Sequence, residues 1–300
     1  MALTALALAG LAVHAVQRQP TGGQAVTAEP VPTAAHRHPS LLPDASITDT
    51  LHYRIHSTAT AAQTAQVAQA VESLYGRYAA VLPVSRPDSP KLTLVLYRDR
   101  AEFKHNNHSR PWAEAYYLPP RSYAYFDASR RNPYHWMLHE ATHQLAREAS
   151  GFKRVKWVDE GVASYFGASR LVDGSLRLGD ADPDAYPIWW LSQFALTGDL
   201  DRDIASGRII PLRQLISGQG GPDENRYFNQ YYIHYWSLTH FLFHYRDGLY
   251  AGRYRQLIAE GGTLENFTRT VGQPDRIQQE WYGYLLRIVE RARANDNAGP

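Results

Sequence analysis

In the stretch HWMLHEATHQLA, residues 135–146, two histidines, His139 and His143, stand four positions apart, with Glu140 between them. On a helix this spacing puts both imidazoles on one face, about 6 Å apart along the axis, where they can converge on one cation. A catalytic zinc ion needs a third protein ligand and a fourth position left to water. Glu140 directly follows His139, so it cannot share that ligand position. It can instead face the water from the side and take its proton. The spacing alone does not decide the matter, because a random chain of this composition carries it roughly 2 times in 100. His135 does not complete the set: it lies about 12 Å from His143 along the helix, too far for one ion with ~2 Å bonds. It is expected to be a neighbour of the site or a packed histidine.

The third ligand is expected downstream. KWVDEGVASYF, residues 156–166, places Glu160 seventeen positions after His143, with Asp159 beside it. A second helix returning antiparallel past the first would deliver a carboxylate to the same ion. Adjacent helical residues point roughly 100° apart, so only one of this pair can face it. The surroundings favour metal over a solvated helix face. Leu138, Ala141, Thr142, Leu145 and Ala146 make most of the first helix small or apolar, and a helix apolar nearly all round is buried. Buried imidazoles and a buried carboxylate must then be paired or metal-bound.

HEATH followed by WVDEGVASYF resembles the gluzincin metallopeptidases of the peptidase MA clan, the class of thermolysin and the aminopeptidases. It looks closest to uncharacterised bacterial, mostly exported, peptidase MA-like domains. The resemblance implies an α+β, zincin-like fold: a small mixed sheet packed on the HExxH helix, followed by an all-helical subdomain. It also implies one Zn2+ held by His139, His143 and Glu160, with Glu140 as general base and Asp159 at the polar position before the ligand. QYYIHYWSLTHFLF, residues 230–243, is similar to a helix at whose start a tyrosine stabilises the oxyanion. Tyr232 matches by its spacing to Trp236, with Tyr231 and Tyr235 as alternates. The likeness spans about residues 47 to 290, but its specific motifs cover only about thirty positions. The glycine-rich exopeptidase motif of aminopeptidases is not visible in SYAYFDASRRN, residues 122–132, so recognition of a free N-terminus is not implied. Asp127 and Asp159 are the acidic candidates for orienting the two histidines; carbonyl oxygens would serve equally.

The elements that must position these residues read as follows. Leu51 to His56 alternates as a strand, Ala61 to Leu82 has helical apolar spacing and ends before Pro83, and KLTLVLYRD is a second strand. Ala101 to Asn106 suits a short helix, and EAYYL and SYAYFDA are strands joined by the turn PPR. The motif helix is expected over Pro133 to Glu148 and the next helix over Val158 to Gly167. RLVDGSLRL reads as a hairpin with an Asp-Gly turn. Beyond Pro187 the pattern is helical: Trp189 to Leu196, Pro211 to Ile216, Tyr227 to Tyr245, Tyr250 to Glu260, Leu264 to Val271 and Asp275 to Ala292. The layout is a sheet-plus-metal-helix part over 47–186, a helical part over 187–293 and a flexible tail over 294–300.

The bulk numbers are compatible with this. With 300 residues, 44% hydrophobic, the chain can bury a core, and a balance of 31 basic against 29 acidic residues gives no nucleic-acid footprint. The absence of cysteine excludes disulfides, thiolate metal sites and a cysteine nucleophile. ALTALALAGLAV, residues 2–13, is too short to span a bilayer but fits the apolar core of a signal peptide, with small residues near Ala15. It lacks the usual basic residues ahead of that core. Segment 1–15 therefore reads as signal-like and 16–46 as a flexible Ala/Pro/Thr/His tether. Export follows, with envelope association through the N-terminal segment. His240 and His244 form a second i, i+4 pair but have no glutamate between them, so they are read as packed or surface residues, as is Trp189-Trp190. The function expected is zinc-dependent hydrolysis of a peptide or protein substrate. The alternatives are a catalytically silent zinc-binding envelope module and a zinc hydrolase of non-peptide amides.

Overall fold

A computed structural model describes residues 42–85 and 90–298. The signal-like segment, and the tether up to residue 41 with its His36–His38 run, lie outside the described residues. The front is a five-stranded mixed sheet ordered β1-β2-β3-β5-β4. Its strands are β1 (Ser46–Asp49), β2 (Tyr53–Ser57), β3 (Leu92–Tyr97), β4 (Tyr116–Leu118) and β5 (Arg121–Tyr125). The central trio β2, β3 and β5 is parallel, and the outer strands β1 and β4 are antiparallel to their neighbours. Parallel neighbours need a crossover, which α1 (Ala61–Val81) supplies between β2 and β3. Thr60 and Gln63 close a capping box at its start, and Val67, Val71, Leu74 and Tyr78 are buried. Strand pleating divides β3 between two cores. Leu92, Leu94 and Leu96 join the main cluster, whereas Val95 and Tyr97 join Phe103, Tyr116, Tyr123 and Tyr125 on the other face.

Next comes α2 (Arg100–His105), capped by Asp99, and beyond the β4–β5 hairpin comes α3 (His135–Gln144), which carries the motif. Helix α3 starts two residues later than expected and continues into a π turn over Leu145–Ala149. Buried Gln144 fastens it to the sheet: its Nε2 donates to the carbonyls of Thr93 and Pro120, and Ser122 Oγ donates to the Glu140 carbonyl and to Gln144 Oε1. Helix α4 (Lys156–Gly167) follows, then the hairpin β6 (Ser169–Val172) and β7 (Ser175–Ala181). The turn residues Asp173 and Gly174 both have positive φ, 49° and 74°, as a two-residue primed turn demands.

The rear is helical: α5 (Leu200–Ala205), α6 (Leu212–Ser217), α7 (Phe228–His244), α8 (Ala251–Glu260), α9 (Leu264–Thr270) and α10 (Pro274–Ala298). One buried cluster runs from Tyr53 to Val289, so front and rear share a core across residue 187. Among the described residues, no helix is long and apolar enough to cross a membrane.

Four expectations need correcting. Trp189 to Leu196 is not a helix; only a single 3-10 turn forms, over Ile188–Trp190. Its apolar spacing comes from Ile188 and Leu191 packing inward from an irregular segment. Strand β1 lies partly within the stretch read as tether, and α5 falls in a stretch with no predicted element; both are too short for periodicity to show. Helix α10 runs on past Ala292 to Ala298.

Two glycines set how closely the site helices approach. A Cβ at Gly167 would stand 3.1–3.2 Å from the backbone and Cβ of His139. A Cβ at Gly161 would stand 2.4 Å from Thr239 Oγ1 and 2.8 Å from the Tyr235 carbonyl oxygen on α7. The glycine after Glu160 thus lets α7 press against the turn of α4 that carries the carboxylate. Because backbone cannot move aside as a flexible side-chain end can, Gly161→Ala should lower stability by about 2 kcal/mol. The drop should appear as a lower midpoint in chemical denaturation; an unchanged midpoint would show that the α4–α7 contact is loose.

Candidate metal centre

Near the end of α3 the His139 and His143 side chains converge, their Nε2 atoms 3.2 Å apart. Glu160 Oε2 stands 3.4 Å from His139 Nε2 and 3.5 Å from His143 Nε2. Since His143 also meets Asp159 while His139 lies under Gly167, α4 runs antiparallel to α3, as the spacing required. The three atoms form a nearly equilateral triangle. Ligands bonded at ~2.0–2.1 Å to a tetrahedral ion stand about 3.3 Å apart, so the triangle has the size of one face of such a coordination shell. Without an ion, atoms this close need a proton on at least one of the two Nε2 atoms, donated to a neighbour; a cation can take that proton's place. His139, His143 and Glu160 together could hold a metal ion.

The choice between Asp159 and Glu160 is resolved by helix phase. Glu160 faces the two Nε2 atoms, and Asp159, about 100° around the helix, meets the far side of His143. Asp159 Oδ1 lies 3.1 Å from His143 Nδ1, and its Oδ2 accepts from Arg154 Nε at 2.7 Å. An imidazole that donates from Nδ1 to this carboxylate can present its Nε2 lone pair to a cation. Asp127 plays no such part: its Oδ1 accepts from Ser129. No acidic partner of this kind is found for His139 among the described residues.

Burial and charge act in opposition here. Burial alone would lower the His143 pKa, but the Glu160 and Asp159 carboxylates outweigh it and hold it well above the ordinary histidine value. Burial would raise Glu160, and the two imidazoles bring it well below the usual glutamate value. Asp159 is likewise lowered, with His143 and Arg154 offsetting its burial. For Glu140 burial prevails: its carboxyl is raised above the ordinary range although His139 and His143 pull it down. Glu140 is 9% exposed, and its side chain sits in the field of all three ligand residues without belonging to the triangle.

Tyr232 reaches the site from α7. Its ring centroid is 6.4 Å from that of His139, and its hydroxyl lies in the field of the Glu160 carboxylate. Burial, followed by the nearby Glu160 charge, raises its pKa well above the ordinary tyrosine value. The alternates differ: Tyr231 donates to the Pro222 carbonyl, and Tyr235 is buried between its neighbours on α7. His135 is buried against Trp136 and Trp189, with Nδ1 on the Asn132 carbonyl, and takes no place in the triangle. His240 and His244 are also committed elsewhere, His240 to the Tyr284 hydroxyl and the Gly179 carbonyl, His244 to the Tyr165 hydroxyl.

A cleft of about 430 Å³ opens beside Glu160 and Tyr232, with Arg110, Trp112, Arg154, Lys156 and Phe228 in its walls. Sequence reasoning did not single out these five. The segment containing Arg154 and Lys156 reads only as a basic loop, and Arg110, Trp112 and Phe228 are brought in by distant stretches of chain.

Fold and site together define an α+β protein with a buried His-His-Glu centre able to hold a metal ion. Residues 136–259 match the model of a family described as a protein of unknown function, DUF1570. The matched stretch includes His139, Glu140, His143, Glu160 and Tyr232. No curated protein matches the chain.

Proposed function

We propose that the chain is a zinc-dependent metallopeptidase of the gluzincin type, exported by way of its apolar N-terminal segment. The observation that carries this reading is the triangle of His139 Nε2, His143 Nε2 and Glu160 Oε2, 3.2–3.5 Å on each side, with the buried Glu140 carboxyl next to it. Two imidazoles and one carboxylate match the ligand set of zinc hydrolases, and softer thiolate chemistry is absent from a chain without cysteine. A zinc ion held there supplies Lewis-acid chemistry, acidifying water and polarising a carbonyl. Glu140 takes the proton from the attacking water and passes it to the departing amine. Burial, which raises its pKa, makes the carboxylate a better proton acceptor than an exposed glutamate. Asp159 holds His143 in the tautomer that leaves Nε2 free. Tyr232 supplies an O–H donor to the oxygen that becomes negative. Strand β4 is a sheet edge beside α3, and an extended substrate can pair with it by strand addition.

Tyr232→Phe keeps the ring against Phe228, 4.4 Å away between centroids, and removes only the hydroxyl. Its kcat should fall roughly 10²-fold with KM little changed, since the donor acts on charge that develops only in the transition state. An equal rise in KM with kcat preserved would instead mark Tyr232 as a ground-state contact.

The test of the whole reading is metal analysis of the purified full chain paired with digestion of a broad peptide library. About one zinc per chain and cut peptides are expected. Stoichiometric zinc with no peptide cut would leave a zinc-binding module without turnover, and cleavage confined to non-peptide amides would make the protein a different zinc hydrolase.

A further inference from the structure

The cleft beside Glu160 and Tyr232 has an uneven charge balance once each side chain's commitments are counted. Its cations are Arg110, Arg154 and Lys156, and its anions are Asp159, Glu160 and Glu224. Each of the three anions has a partner, although Glu224 Oε1 is buried without one. Asp159 accepts from both His143 and Arg154, Glu160 faces the two imidazoles, and Glu224 accepts from Lys156 Nζ at 2.6 Å. The cations are less fully used. Arg154 uses its Nε on Asp159; its Nη groups make no hydrogen bond among the described residues, though Glu160 and Glu140 also stabilise its charge. Arg110 pairs with no carboxylate among the described residues; its guanidinium instead lies 5.5 Å over the Trp112 ring. Trp112 in turn rests edge-on against Phe228, 5.3 Å between centroids, and Phe228 packs on Tyr232. Arg110 is thus placed over an aromatic platform continuous with the site, which limits its freedom before any ligand arrives. A divalent cation in the triangle would make the cleft net positive.

We propose that this cleft selects peptides that carry a carboxylate within two or three residues of the scissile bond, with Arg110 as its principal acceptor and the free Nη groups of Arg154 beside it. This rests on the peptidase reading above. The size supports the placement: a cavity of about 430 Å³ spans roughly 9 Å, two to three residues of extended chain at ~3.4 Å each. Guanidinium groups bind carboxylates in a planar, two-pronged way that an ammonium cannot reproduce. The carboxylate can come from a Glu or Asp side chain or from the free C-terminus of a short peptide.

One peptide made in three forms decides this: an internal Glu with an amidated end, Gln in its place with a free carboxylate end, and Gln with an amidated end. Binding to the zinc-loaded Glu140→Gln chain is read by calorimetry at low salt, and cleavage by the wild type is read separately. At least one carboxylate form should bind about tenfold tighter than the neutral form, as a charge-assisted contact in a half-open cleft allows. Which form it is identifies the source of the carboxylate. Adding Arg110→Gln should erase the preference, and adding Arg110→Glu should reverse it towards a Lys-containing peptide, with zinc content unchanged in both. Equal binding of all three forms, or a preference that survives Arg110→Glu, would overturn the inference. Failure of the peptidase reading looks different: none of the forms would be cleaved by the wild type, whatever calorimetry shows.

Discussion

Glu140→Gln should keep its zinc and lose peptide hydrolysis by roughly 10³-fold. The substitution preserves side-chain shape and removes only the group that can accept a proton. The three metal-facing atoms belong to His139, His143 and Glu160, so metal content should not depend on Glu140. The helix should also survive, because the motif residue is anchored through its backbone carbonyl, which accepts from Ser122 Oγ, and through the Gln144 clamp one turn later. Zinc lost along with activity would place the Glu140 carboxylate in the ligand set. Zinc and activity both retained would assign the base to another residue. Turnover and bound zinc measured on one preparation separate these outcomes.

The second large effect is on metal affinity, and it ranks two adjacent carboxylates. Glu160→Gln removes an anionic ligand, whereas Asp159→Asn keeps an acceptor oxygen behind His143 and removes the negative charge shared by His143 and Arg154. Losing an outer partner of this kind typically costs 10–100-fold in affinity. Asp159→Asn should fall in that range, and Glu160→Gln should exceed it. The difference can also be read thermally. Zinc at about 1,000 times its dissociation constant adds roughly 4 kcal/mol of stability to the wild type, so the melting temperature should rise on zinc addition. In Glu160→Gln that rise should largely vanish. Equal affinities for the two variants, or a larger loss in Asp159→Asn, would reverse the assignment of ligand and orienting partner.

The parts of the site visible in the sequence are those fixed by local geometry. Histidines four apart with a glutamate between them keep their meaning on any helix, and α3 forms where the apolar spacing puts it. The hairpin after α4 was legible for the same reason, because Asp173-Gly174 is a conformational requirement written into two adjacent residues. Glu160 against Asp159 was not settled by spacing alone. The answer depends on the rotational phase of α4 relative to α3, which is set by the close approaches at Gly161 and Gly167. Tyr232 among three tyrosines was a similar question of phase: Tyr231 turns to the Pro222 carbonyl, whereas the Tyr232 ring lies 6.4 Å from that of His139. Arg110, Trp112 and Arg154 were invisible because nothing local marks a cleft wall assembled from separate stretches of chain. The misreading at Trp189–Leu196 has the opposite origin. A short irregular segment that buries Ile188 and Leu191 imitates helical periodicity without forming a helix.

The central claim is that His139, His143 and Glu160 meet around one cation. Anomalous diffraction at the zinc edge, on crystals of the full chain purified without chelator, tests it most directly. One peak is expected, about 2.0–2.2 Å from both Nε2 atoms and from a Glu160 oxygen, with a fourth position open to solvent. A zinc-replete crystal with no peak at that point, or with a peak elsewhere and the two imidazoles free, would contradict the account.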